Sequence, residues 1–165
     1  MSIFELGRLS YIRETIGKYC GFTLVELLLV FVIVFILSTI ALYRYNEYMD
    51  RKNIAQAKLD ILFIESEIDN FYAVGFSYPE SLSELPKTIP LLDPWGSPYQ
   101  YLNITTTKGK GKVRKDHNLV PLNSDYDLYS MGKDKKSVSP LTAKASKDDI
   151  IRANNGDFVG LALEY

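Results

Sequence analysis

Cysteine, histidine and tryptophan are nearly missing from this 165-residue chain, which has one of each. A lone Cys20 excludes a disulfide framework within the chain. A lone His117, with no Ser or Cys in a recognisable nucleophile context, offers no catalytic constellation, and such a histidine is usually a surface or structural residue. A surplus of one charge is missing too. The 19 Lys and Arg nearly balance 20 Asp and Glu, a formal net charge of -1, which excludes a strongly basic nucleic-acid binder. The content of 47% apolar and 24% charged residues is that of an ordinary globular chain, not a disordered one.

Two local absences say more. No Asp, Glu, Lys or Arg occurs from Leu27 to Tyr43, and no Gly or Pro from Phe22 to Val74. In the segment Phe22 to Tyr43 the only residues that are not apolar are Thr23, Glu26, Ser38 and Thr39. As a helix its 22 residues span about 33 Å, enough to cross a hydrocarbon core of about 30 Å. A buried soluble helix is the alternative, but the rest of the chain is too small to wrap a helix that is apolar all round. Residues 1–21 have no apolar stretch of their own and no Ala-x-Ala site, so they are not an ordinary secretory signal. Basic residues flank the span on both sides, and the positive-inside count does not decide its orientation.

Beyond Tyr43 the helix is expected to continue. Ile54, Ala57, Ile61, Ile64, Ile68 and Phe71 recur at spacings of three and four, one apolar stripe, with Lys52, Asp60, Glu65, Glu67 and Asp69 on the polar face. Gly75 supplies the stop. From Gly75 to Tyr165, Pro79, Pro86, Pro90, Pro94 and Pro98 exclude long helices in the first part. Ser81–Leu85 reads as a short helical turn, and Tyr99–Ile104, Tyr126–Ser130 and Phe158–Leu163 as strands. The expected fold is α+β, a long helix with its amphipathic half packed on a small antiparallel sheet. It divides into residues 1–21, 22–43, 44–74 and 75–165.

The junction Lys18-Tyr-Cys-Gly-Phe-Thr-Leu-Val-Glu-Leu-Leu-Leu-Val30 places a Gly before a Phe, and a Glu four residues later just inside the apolar run. It resembles the cleavage and methylation site of type IV prepilins and type II secretion pseudopilins. That resemblance implies cleavage by a prepilin peptidase after Gly21 on the cytoplasmic side, with loss of the leader and Cys20. Phe22 becomes the N-methylated first residue, and the C-terminal head lies in the periplasm, anchored by a single span in the inner membrane. A carboxylate at the centre of a membrane helix costs roughly 2.5 to 3.5 kcal/mol on insertion scales. Glu26 sits near the end of the span, where the cost is lower and the helix N-terminus compensates part of it. In a bundle it could face the new Phe22 amine of a neighbouring subunit, relieving both charges and setting axial register. A Glu that snorkels to the interface is the plainer alternative. Many members of the wider family carry a Pro about twenty residues into the mature helix; this chain has Tyr43 there.

Two further stretches, Leu92-Asp-Pro-Trp-Gly-Ser-Pro-Tyr-Gln-Tyr-Leu102 and Asp125-Tyr-Asp-Leu-Tyr-Ser-Met-Gly-Lys-Asp134, resemble motifs of the major pseudopilin branch. In that branch the C-terminal loops hold a structural calcium ion. The match places Asp134 as a carboxylate ligand and Met131 as a carbonyl ligand, with Asp148 and Asp149 closing the site. Lys135 replaces the Gly that usually follows the first ligand. The alternative for Asp148 and Asp149 is a capping role before Ile150. Trp95 reads as a core anchor.

The resemblance implies a structural subunit of a secretion pseudopilus that drives protein export. Its partners would be copies of itself, minor pseudopilins, the inner-membrane assembly platform and the peptidase. A type IV pilin for adhesion, motility or surface electron transfer is the second reading, and a membrane-anchored periplasmic enzyme a third. The basic run Lys108, Lys110, Lys112, Arg114 and Lys115 is read as a solvated loop or as a contact for an acidic face such as Glu65–Asp69 of another subunit. It has no interleaved aromatic residue for stacking on bases, so no nucleic acid is expected.

Overall fold

A computed structural model describes residues 21–109, 111–117 and 120–165. The expected leader, apart from Gly21, and Lys110 lie outside the described residues. The chain divides into two compact units, Met1–Tyr45 and Asn46–Tyr165.

Helix α1 covers Leu24–Gly75, as the lack of Gly and Pro requires. In the first unit it is exposed at every residue. It is long and apolar enough to cross a membrane by length and composition. Its two mid-span hydroxyls turn back onto the helix: Ser38 Oγ donates to the Val34 carbonyl at 2.7 Å and Thr39 Oγ1 to the Ile36 carbonyl at 2.7 Å. Neither therefore leaves an unmet hydroxyl donor on the apolar span.

In the second unit, strands β1 (Gln100–Asn103), β2 (Tyr126–Ser130), β3 (Ile150–Ala153) and β4 (Phe158–Leu161) form one antiparallel sheet in that order. The helical stripe packs on one face. Ala57, Ile61, Ile64 and Ile68 are fully buried against Leu82, Leu85, Ile89, Tyr99, Tyr126, Leu128 and Ile150, with Ile54 and Phe71 at the margin. This is the stripe expected from the spacing. On the opposite face Leu122, Leu141, Ile151, Ala153 and Ala162 make a second cluster beneath the long connections. Strand β3 was not expected. Its neighbours Ile150 and Ile151 belong to opposite clusters and all four of its residues are buried. The polar-out alternation that marks a half-exposed strand is therefore missing.

The polar face of α1 is less solvated than its composition suggests. Asp60 accepts a hydrogen bond from the Tyr99 hydroxyl at 2.8 Å, and Glu65 accepts from Arg152 Nε at 2.7 Å. Trp95 sits where the Pro-rich segment enters the sheet and packs against the main cluster. Its turn is built by buried Asp93, whose Oδ1 accepts from the Trp95 and Ser97 amides while Oδ2 accepts from Ser130 Oγ at the end of β2.

Gly132, just after β2, fixes the path of the β2–β3 connection. It has a φ of +65°, and a Cβ there would lie 2.2 Å from the Asp148 carbonyl oxygen. Gly132→Ala is expected to destabilise this unit by about 3 kcal/mol or more, because backbone must move to relieve the clash. Urea unfolding of the full chain in detergent, followed by near-ultraviolet circular dichroism, measures it.

Candidate functional site: the processing junction and the C-terminal loops

At the junction Gly21 and Phe22 are exposed ahead of α1. Thr23 caps the helix. Its Oγ1 accepts from the Glu26 amide at 3.2 Å and donates to Glu26 Oε2 at 2.9 Å, while Glu26 Oε2 accepts from the Thr23 amide at 2.8 Å. This is a reciprocal capping box, with Thr23 as the cap and Glu26 three residues on. The Thr-x-x-Glu spacing announces it in the sequence, yet the reading by membrane cost and subunit pairing passes over it. Glu26 therefore has a local partner in the single subunit. Its carboxylate sits over the positive end of the helix, where an anion is favoured.

The expected calcium ligands lie on the β2–β3 connection. Asp134 is exposed, with Oδ1 accepting from the Lys136 amide at 2.7 Å, and its own amide donates to Asp148 Oδ2 at 3.0 Å. Met131 and Asp148 are half-buried, and Asp149 is fully buried. Lys135 has a φ of +59°, so it keeps the left-handed backbone that glycine enters freely. Lys133 reaches Asp50 of α1 at 2.6 Å. Asp134 and Asp148 are thus brought together by a hydrogen bond from the Asp134 amide to the Asp148 carboxylate.

Asp149 points elsewhere. Its Oδ2 accepts from Arg114 Nη2 at 2.5 Å and from Ser137 Oγ at 2.6 Å. Burial pushes this carboxyl above the usual carboxylate range, opposed by the Ser137 and Arg114 hydrogen bonds. Among the described residues no group of three or more His, Cys, Asp or Glu is placed to hold a metal ion. Calcium favours six to eight converging oxygens. The donors as arranged, with Asp149 paired to a cation, do not fit that requirement.

Arg114 is the correction to the reading of the basic run. It is buried, 3% exposed, and is no part of a solvated loop. Lys108 and Lys112 are exposed, as that reading expects. The Arg114 amide donates to buried Asp127 at 2.6 Å, and its guanidinium lies 4.2 Å from the Tyr129 ring centroid. Glu65, offered as part of an acidic face for another subunit, is held by Arg152. His117 is exposed beside Asp116.

Residues 16–42 match the family model for the prokaryotic N-terminal methylation motif. The chain is 32% identical over 137 residues to the type II secretion system core protein G of Pseudomonas aeruginosa strain PAO1, covering 70% of this chain and 84% of that protein. No solved structure gives a significant match. With a long apolar N-terminal helix, a four-stranded antiparallel head and a methylation motif at their start, the chain belongs to the family of type II secretion core protein G, the pilin-like major pseudopilins.

Proposed function

We propose that this chain is a structural subunit of a type II secretion pseudopilus. Prepilin peptidase removes residues 1–21, and Phe22 is methylated on its new amine. The apolar half of α1 holds the subunit in the inner membrane, with the head on the periplasmic side. Subunits then leave the membrane and stack into a helical filament whose growth drives export. Minor pseudopilins and the assembly platform are its partners. The function lies in packing and register, with no bond made or broken by the subunit.

One observation carries the reading. The methylation motif includes the head of a helix exposed at every residue from Leu24 to Asn46, with Glu26 its only charged side chain before Arg44. Such a helix needs apolar neighbours, lipid first and like helices afterwards. The capping box adds a two-state logic. Glu26 is satisfied by Thr23 in the single subunit and by a neighbour's Phe22 amine in the filament.

Co-expression with a prepilin peptidase tests this. Mass spectrometry should find a chain that begins at Phe22 and carries one added methyl group. Electron microscopy of the processed protein should find filaments. Intact residues 1–21, or processed protein that never forms filaments, would overturn it.

A further inference from the structure

We propose that Arg114 is the resident cation of the C-terminal loops and that the head holds these loops without calcium. The guanidinium gathers three oxygens of the kinds a divalent ion would take. Nη2 donates to the Asp149 carboxylate at 2.5 Å, and Nη1 donates to the Ser137 hydroxyl at 2.5 Å and to the Val138 carbonyl at 2.8 Å. Carboxylate and backbone carbonyl belong to calcium's own donor set, and the hydroxyl is a third oxygen beside them. Here all three meet a charge supplied by the chain.

The surroundings are built for this charge. Arg114 is 3% exposed and Asp149 is fully buried, so the pair is shielded from water and salt. The Tyr129 ring faces the guanidinium. The Arg114 backbone is fixed at both ends, its amide donating to Asp127 and its carbonyl accepting from the Leu122 amide at 2.8 Å. Ser137 donates to the same Asp149 oxygen that Arg114 contacts. Ser146 Oγ donates to the Val138 carbonyl and accepts from the Val138 amide, closing the loop on itself. Two buried atoms of the pair have no partner, Arg114 Nε and Asp149 Oδ1. One is a donor and the other an acceptor. A side-on bidentate guanidinium–carboxylate fork would pair them; in this structure only its Nη2–Oδ2 arm is made.

Arg114 lies in the β1–β2 connection, whereas Ser137, Val138 and Asp149 lie in the β2–β3 connection. A single side chain thus ties both long connections, which is the task of a loop-fixing metal. A calcium ion on Asp149 would bring two positive charges to a buried carboxylate that already has one, and the like charges repel. Of the remaining acidic candidates, Asp148 is half-buried and already accepts from the Asp134 amide, and Asp134 is exposed and flanked by Lys133, Lys135 and Lys136.

The inference concerns the head alone, and its test leaves filament formation aside. The full processed chain in detergent micelles is digested with a protease at fixed ionic strength, with millimolar calcium or with a chelator, and the half-life of the head is read. The wild-type half-life should be the same in both. Arg114→Met leaves Asp149 buried without a cation, and its half-life should fall about a hundredfold. Calcium should not restore it. Arg114→Lys, which keeps the charge without the planar fork, should fall between the two. Arg114→Met combined with Asp149→Leu should lose less than the two single changes summed, because no orphan charge remains. A wild-type half-life extended about tenfold by calcium, the effect of an ion present at ten times its dissociation constant, overturns the proposal. So does an Arg114→Met head that resists the protease as wild type does. If the variants do not fold, calorimetric titration of the wild-type chain with calcium alone decides. No binding heat supports the inference, and one-to-one binding defeats it.

Discussion

Glu26→Ala should leave the chain inserted and cleaved but abolish filaments. Every residue that makes the span apolar is unchanged, and removing a carboxylate makes insertion easier. Thr23 still caps the helix through its hydroxyl, so losing the Glu26 half of the box costs only about 1 kcal/mol at a helix end. The assembled state suffers more. Each neighbour would bring a Phe22 amine into an apolar bundle with no anion to meet it, an uncompensated charge worth several kcal/mol at every interface. Glu26→Gln separates the observed cap from the proposed charge pairing. The amide oxygen can still accept from the Thr23 amide, so the cap survives while the charge is lost. Filaments should fail in Gln as in Ala. Membrane fractionation and cleavage assays check the first half of the result, and electron microscopy the second. Normal filaments from Glu26→Gln would assign the residue to capping alone.

The head should be most sensitive at Arg152. Its guanidinium is 3% exposed, donates through Nε to Glu65 and through Nη1 and Nη2 to both oxygens of Asp125, and lies 4.0 Å from the Tyr126 ring centroid. Burial works against its charge, but the Asp125 and Glu65 hydrogen bonds outweigh burial and hold its proton more tightly than usual. Arg152→Met would leave two partly buried carboxylates facing each other without a cation. We expect a loss of about 3 to 5 kcal/mol, a large share of the stability of a domain this size. Urea titrations of both chains in the same detergent measure it, and coincident midpoints refute the assignment.

Much of the fold was legible because its elements carry strong periods. The stripe from Ile54 to Phe71 names the face of α1 that packs on the sheet, and Tyr126–Ser130 is β2 residue for residue. Strand β3 escaped because both its faces are buried and it is only four residues long. Arg114 escaped for a different reason. A basic residue among lysines and glycines reads as solvated, and its partner Asp149 lies 35 positions away. Long-range charge pairs leave no local period. At the junction, Gly21, Phe22 and Glu26 stood out through their motif, while the capping box needed only the Thr23–Glu26 spacing to be noticed.

The bare apolar surface of α1 between Leu24 and Asn46 also sets where subunits can wait. A molecule with that surface has no resting form in water, so the bilayer itself is the depot from which a filament would draw. Supply then depends on lateral diffusion in two dimensions. Elongation and extraction become one event, because a subunit released before its neighbour is in reach would have nowhere to go but back. Growth rate should therefore follow the areal density of processed subunits in the membrane rather than any concentration in the compartment outside it.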